Sequence, residues 1–125
     1  MSDARGFTLL EAILALALLA IVLTGLLPAF FVCLTTNTRN EERTQAAAVA
    51  QRAMENLRLQ NPASLPSSGS SSPEFVVVGN REFEVVERYC VRSEYCGTDS
   101  RHLVVDVSYG GRRVISVESV FTRLR

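Results

Sequence analysis

Three groups of residues in this sequence are of types that do chemistry. The acid Glu11 sits one helical turn into an apolar run, Cys90 and Cys96 are separated by VRSEY, and the single histidine, His102, lies among C-terminal arginines. No nucleophile–base–acid set can be assembled from one histidine and scattered carboxylates, and no glycine-rich phosphate loop is present. Enzymatic activity, and with it a catalytic residue or a cofactor, is therefore not expected. A zinc site needs four ligands, and His102 is the single nearby addition to the two cysteines, so a metal is not expected either. Cys33 reads as an apolar filler. The thirteen basic residues, all arginine, balance thirteen acids. No overall charge points to nucleic acid or to an acidic surface.

Glu11 poses the sharper question. From Ala12 to Leu34 the chain carries no charge. At about 1.5 Å per residue this run reaches ~35 Å, enough to cross a hydrocarbon core of ~30 Å. A cleaved secretory signal fits it poorly: the run is too long, the segment before it mixes Asp3 with Arg5, and no small-x-small site ends it. A lipoprotein reading would use Cys33, but Val32 stands where a small residue is wanted. An ordinary signal anchor accounts for the length and leaves Glu11 unexplained. An acid inside a bilayer costs a few kcal/mol unless it reaches the interface or a partner.

The stretch Gly6-Phe7-Thr8-Leu9-Leu10-Glu11, followed by about twenty apolar residues, closely resembles the class III leader and N-terminus of type IV pilins and type II secretion pseudopilins. The resemblance implies that a prepilin peptidase cuts between Gly6 and Phe7, that the amino group of Phe7 is methylated, and that Glu11 is the assembly residue. Pro28 falls where many members have a helix-breaking proline, and Gly25 is a second weak point beside it. Cutting at Gly6 would create a cationic amine at the membrane face. With helices staggered, Glu11 of one subunit can meet Phe7 of the next, which favours assembly and fixes the stagger.

The implied partners are that peptidase, other pilins or pseudopilins, an inner-membrane assembly platform and, before assembly, membrane lipid. The implied location is a single pass through the inner membrane with the head extracytoplasmic, then a pilus or a periplasmic pseudopilus. In such a non-reducing space Cys90 and Cys96 are expected as a disulfide, contributing roughly 2 kcal/mol in the chain-entropy model. The helix half QAAAVAQRAMENLR and the small head look like PilV-type minor pilins and I-type minor pseudopilins. Pilus and secretion stay open as alternatives. The rival from another class is a single-pass anchored binding module, an adhesin or DNA-capture protein that never polymerises. Some filaments of the family serve DNA uptake, and Arg101, Arg112, Arg113, Arg123 and Arg125 are candidates for a nucleic-acid edge. Strand alternation spreads them over both faces, and Asp106 and Glu118 interleave, which favours a solvated surface.

The elements that must position these residues follow from pattern. Residues 35–60 are rich in helix formers without Gly or Pro. Ala46, Ala50, Ala53, Met54 and Leu57 form one stripe, so helix is expected from Thr8 to about Leu59, ~78 Å long. NPASLPSSGSSSP (61–73) ends the helix and reads as a loop of variable conformation. Strands are expected at 74–78 and 81–92, joined by a two-residue GN turn, and at 102–109 and 112–123. Leu103, Val105, Val107 and Tyr109 share a face. A strict two-residue loop at Gly110–Gly111 would leave Ile115 on the wrong side. A loop one residue longer, with a glycine at positive φ, aligns Val107 with Ile115 and Val105 with Val117. The expected class is α+β: a long N-terminal α-helix, membrane-spanning in its first half, packed by its second half on a four-stranded antiparallel β-meander. In segments this gives a leader (1–6), a transmembrane and filament-core helix (7–34), an amphipathic helix half (35–60), the loop (61–73) and a β-sheet head (74–125).

Overall fold

The structure, a computed structural model, describes residues 6–123. Residues 1–5 of the expected leader, with Asp3 and Arg5, and the terminal Arg125 lie outside the described residues. The elements are α1 (Leu9–Arg58), β1 (Glu74–Val78), β2 (Arg81–Tyr89), β3 (Ser100–Tyr109) and β4 (Arg112–Thr122). The chain divides between Arg39 and Asn40 into two compact units.

In the first unit α1 is apolar on every side, and its large side chains from Leu9 to Leu34 are all exposed. A helix with no polar face has no way to choose a buried side in water, and this one has the length and composition to cross a membrane. The polar groups along it are turned inward. Thr24 donates its hydroxyl to the Ile21 carbonyl at 2.8 Å, and Thr35 donates to the Val32 carbonyl at 3.0 Å. The helix runs continuously through Gly25 and Pro28. Proline has no N–H to give, so the Thr24 carbonyl loses its helical donor there.

In the second unit the remaining turns of α1 lie on a meander of strand order β1-β2-β3-β4, antiparallel throughout. Ala46 and Ala50, fully buried, let the helix approach the sheet closely, while Val49 and Leu57 fill the core on either side of them. Ala53 and Met54 are packed at its margin. Val49 widens the expected stripe, because the i+3 row from Ala46 is buried as well as the i+4 row. From the sheet come Phe83 and Val85 of β2 and Leu103, Val105 and Val107 of β3, on the face that alternation assigns them. Two ion pairs fix the helix against the hairpin ends: Arg81 with Glu41 at 3.2 Å, and Arg112 with Glu42 at 2.7 Å.

The β3–β4 register is the expected one, Val107 opposite Ile115 and Val105 opposite Val117. Its mechanism differs. The loop is a two-residue turn with both Gly110 (φ 57°) and Gly111 (φ 75°) left-handed, closing on Tyr109 opposite Arg112. The extra residue enters as a bulge after Val107, where Ser108 meets Arg113 and Val114 has no opposite number.

Three boundaries also differ. β2 stops at Tyr89 and not at residue 92, because Cys90 takes φ 52°. β3 begins two residues earlier than expected, at Ser100, and β4 ends at Thr122. The serine-rich loop is anchored. Tyr89 N–H donates to the Gly69 carbonyl (2.9 Å), Ser71 N–H to the Glu87 carbonyl (2.8 Å), and Ser70 bridges Arg88. Leu65 of the same loop is buried in the core.

Candidate functional site

The residues singled out near the N-terminus lie where the helix begins. Gly6, Phe7 and Thr8 precede the first turn, all exposed. Thr8 is the cap: its hydroxyl accepts the Glu11 N–H at 3.3 Å, and its carbonyl accepts the Ala12 N–H at 3.2 Å. Thr-x-x-Glu ahead of an apolar run is the capping-box spacing. The signal was legible in the sequence, and Thr8 is the site residue that the motif reading passed over.

Capping gives Glu11 a local reason to exist, since an acid at the third helical position meets the positive end of the helix dipole. That reason is insufficient. Glutamine serves the same box without a charge, and in hydrocarbon the charge is the costly part. Glu11 is exposed, and among the described residues it forms no ion pair. The helix hides its threonine hydroxyls on its own carbonyls and presents one carboxylate at its start. Phe7, 72% exposed, is four residues before it.

The second group of candidates is built into the head. Cys90 and Cys96 form a disulfide with their Cα atoms 5.8 Å apart. It closes a loop containing the short turn Ser93–Tyr95, and that loop folds over the outer face of the sheet. His102, expected as a polar strand end, is only 2% exposed beneath it. The Arg92 N–H donates to its Nδ1 (3.3 Å), Glu118 lies 3.6 Å from its Nε2, and its own N–H points to Cys96 Sγ (3.3 Å). The histidine holds the loop down. Among the described residues no cluster of His, Cys, Asp or Glu has the arrangement to hold a metal ion.

Three of the five arginines considered for a nucleic-acid edge, Arg101, Arg112 and Arg113, have partners within the head. Arg112 is paired with Glu42. Arg113 stands 3.7 Å from Asp106, whose other oxygen accepts from Arg88 at 2.7 Å. Arg101 donates to the carbonyls of Leu65, Gly97 and Ser100.

Two comparisons bear on the N-terminal site. Residues 1–27 match the family described as the prokaryotic N-terminal methylation motif. The chain is also 38% identical over 81 residues to the type II secretion system protein I of Pseudomonas aeruginosa, an alignment covering 65% of this chain and 61% of that protein. Both findings are similarities to pilin-type and pseudopilin-type chains, and the chain spans less than two thirds of the length of the secretion protein it matches. No solved structure matches significantly. The features these relatives bear on are the capped helix start and the charge-free run after Glu11, with the small disulfide-bonded α+β unit described apart from them.

Proposed function

We propose that this chain is a minor pseudopilin or pilin, cut by a prepilin peptidase between Gly6 and Phe7, methylated on Phe7, and assembled with other subunits into a filament or as its priming or capping end. The observation that carries this reading is Glu11, without an ion-pair partner among the described residues, at the start of a helix that is apolar on all sides. Inserted in a bilayer, the side chains from Ala12 to Leu34 are satisfied and Glu11 is not. Packed in a staggered bundle, both are. The free amine of a neighbouring Phe7 supplies the opposite charge, and in a dry bundle neither charge is tolerated alone. The similarity to a type II secretion system protein I favours a secretion pseudopilus over a pilus.

In this reading residues 7–34 anchor the subunit in the inner membrane before assembly, and residues from Asn40 onward form the extracytoplasmic head. The disulfide suits that compartment, since cytosolic thiols are kept reduced. Gly25 and the lost hydrogen bond at Pro28 are the points where the helix can open and stretch in a filament. Contacts with an assembly platform follow from the same reading, while the ion pairs of Arg112 with Glu42 and of Arg113 with Asp106 favour a neutralised surface over a nucleic-acid edge.

Intact mass measurement of the chain purified from its native membrane tests the proposal. A polypeptide that begins at Phe7 and carries one methyl group is the expected result. A chain retaining Met1 or Ser2 would instead make this protein a solitary anchored module.

A further inference from the structure

β1 is an open edge strand. A two-residue hairpin closes on a hydrogen-bonded pair. With Val78 opposite Arg81 at the turn and Val76 opposite Phe83, the backbone N–H and C=O groups of Phe75 and Val77 therefore face away from β2. The side chains of these two residues are 61% and 67% exposed. Long, flat, apolar edges are normally blunted by charge, proline or a cover. β4, at the other edge, carries Arg113 and Glu118 on the same outer face, whereas β1 carries two large apolar groups. The neighbouring stretch of β2 is already occupied by residues 69–71, which leaves β1 as the free template.

Beside this edge, between β1 and α1, is a groove of about 320 Å³ lined by Val49, Arg52, Ala53, Asn56, Val76 and Val85. A strand added to β1 would drop alternate side chains into it. On the other face it would lie beside Phe75 and Val77, one strand spacing further from Glu82 and Glu84, which are paired with them in β2. Two strand spacings are about 10 Å, within the joint reach of a glutamate and a lysine or arginine. Glu74 stands at the end of the same strand. Among the described residues none of Glu74, Glu82 and Glu84 is in an ion pair.

We propose that the free edge of β1 binds an extended segment of a different protein by strand addition, one that alternates small apolar residues facing the groove with lysine or arginine facing outward. The cationic side chains lay their aliphatic stems over Phe75 and Val77 and carry their charges to Glu82 and Glu84. The three acids argue against a second copy of this chain, which would bring like charges to the same edge.

The test uses the full chain in detergent micelles and a fluorescent synthetic peptide alternating lysine and valine. Saturable binding is expected, weakened about tenfold by Val77→Pro, which removes an edge donor without touching the β1–β2 ladder. Val77→Thr keeps the donor and should bind as the parent does. A peptide with N-methylated backbone nitrogens should also bind about tenfold more weakly, which keeps the test independent of how Val77→Pro folds. Equal binding by Val77→Pro or by the methylated peptide would overturn the proposal, as would no binding at all. Equal binding of a glutamate–valine peptide would remove the charge argument and the assigned partner. Self-association of the chain through this edge, abolished by Val77→Pro, would make a second copy the occupant and defeat the proposal. None of these outcomes depends on cleavage at Gly6.

Discussion

At the scale of single residues, the same principle separates Thr24 from Glu11. A hydroxyl in an apolar helix is satisfied by the carbonyl of the preceding turn, so Thr24 needs no partner outside the chain. A carboxylate can accept from a free N–H at the helix start, but its charge remains to be met by something else. The head has its own residue-scale case in Tyr89. Burial at the core margin pushes its phenol pKa from 10.0 up to about 12, and the hydrogen bond to Glu87 and that carboxylate's charge push it the same way. The folded state thus holds its proton more tightly than the unfolded one, which contributes stability below pH 10 that is lost as pH rises from 10.0 to about 12. Thermal melts of the head should show that alkaline loss, and Tyr89→Phe should lack its share of it. A Tyr89→Phe melting curve with the same pH dependence as the parent would put the loss elsewhere.

The elements were legible to different degrees, for physical reasons. The charge-free apolar run placed the first half of α1 and the stripe from Ala46 to Leu57 the second, and the helix ends before Pro62 forbids it at Asn61. The two glycine-containing turns placed four strands in the right order. Burial of Ile115 demanded the correct register, but pattern could not distinguish an extra loop residue from the bulge at Val114. That choice depends on backbone dihedrals. The covering of His102 was invisible, since it comes from a loop folding across the sheet. So was the pairing of Gly69, Ser70 and Ser71 with β2, which rests on backbone groups that composition does not describe. Both features converge on the disulfide loop. Replacing Cys90 and Cys96 with serine should lower the head's stability by roughly 2 kcal/mol and expose the imidazole of His102 to solvent, read by chemical denaturation and by histidine carbethoxylation. Unchanged protection of His102 in that variant would show that the Arg92 and Glu118 contacts hold the loop without the cross-link.

For the whole molecule, the two compact units meet opposite demands. The head from Asn40 buries an apolar core within the chain, and the helix before it buries none of its large side chains. Such a chain is complete only in the company of lipid or of other helices, and Glu11 decides between them. Glutamine at that position is nearly the same size and leaves the backbone N–H bond to the Thr8 hydroxyl in place, so Glu11→Gln removes the charge and little else. The decisive measurement is the amount of Glu11→Gln subunit recovered with the other pilins or pseudopilins of the filament, relative to the amount in the membrane. We expect normal membrane levels and loss from the assembled fraction. Assembly of the glutamine variant at the parental level would contradict the pairing of this carboxylate with a neighbour's amine.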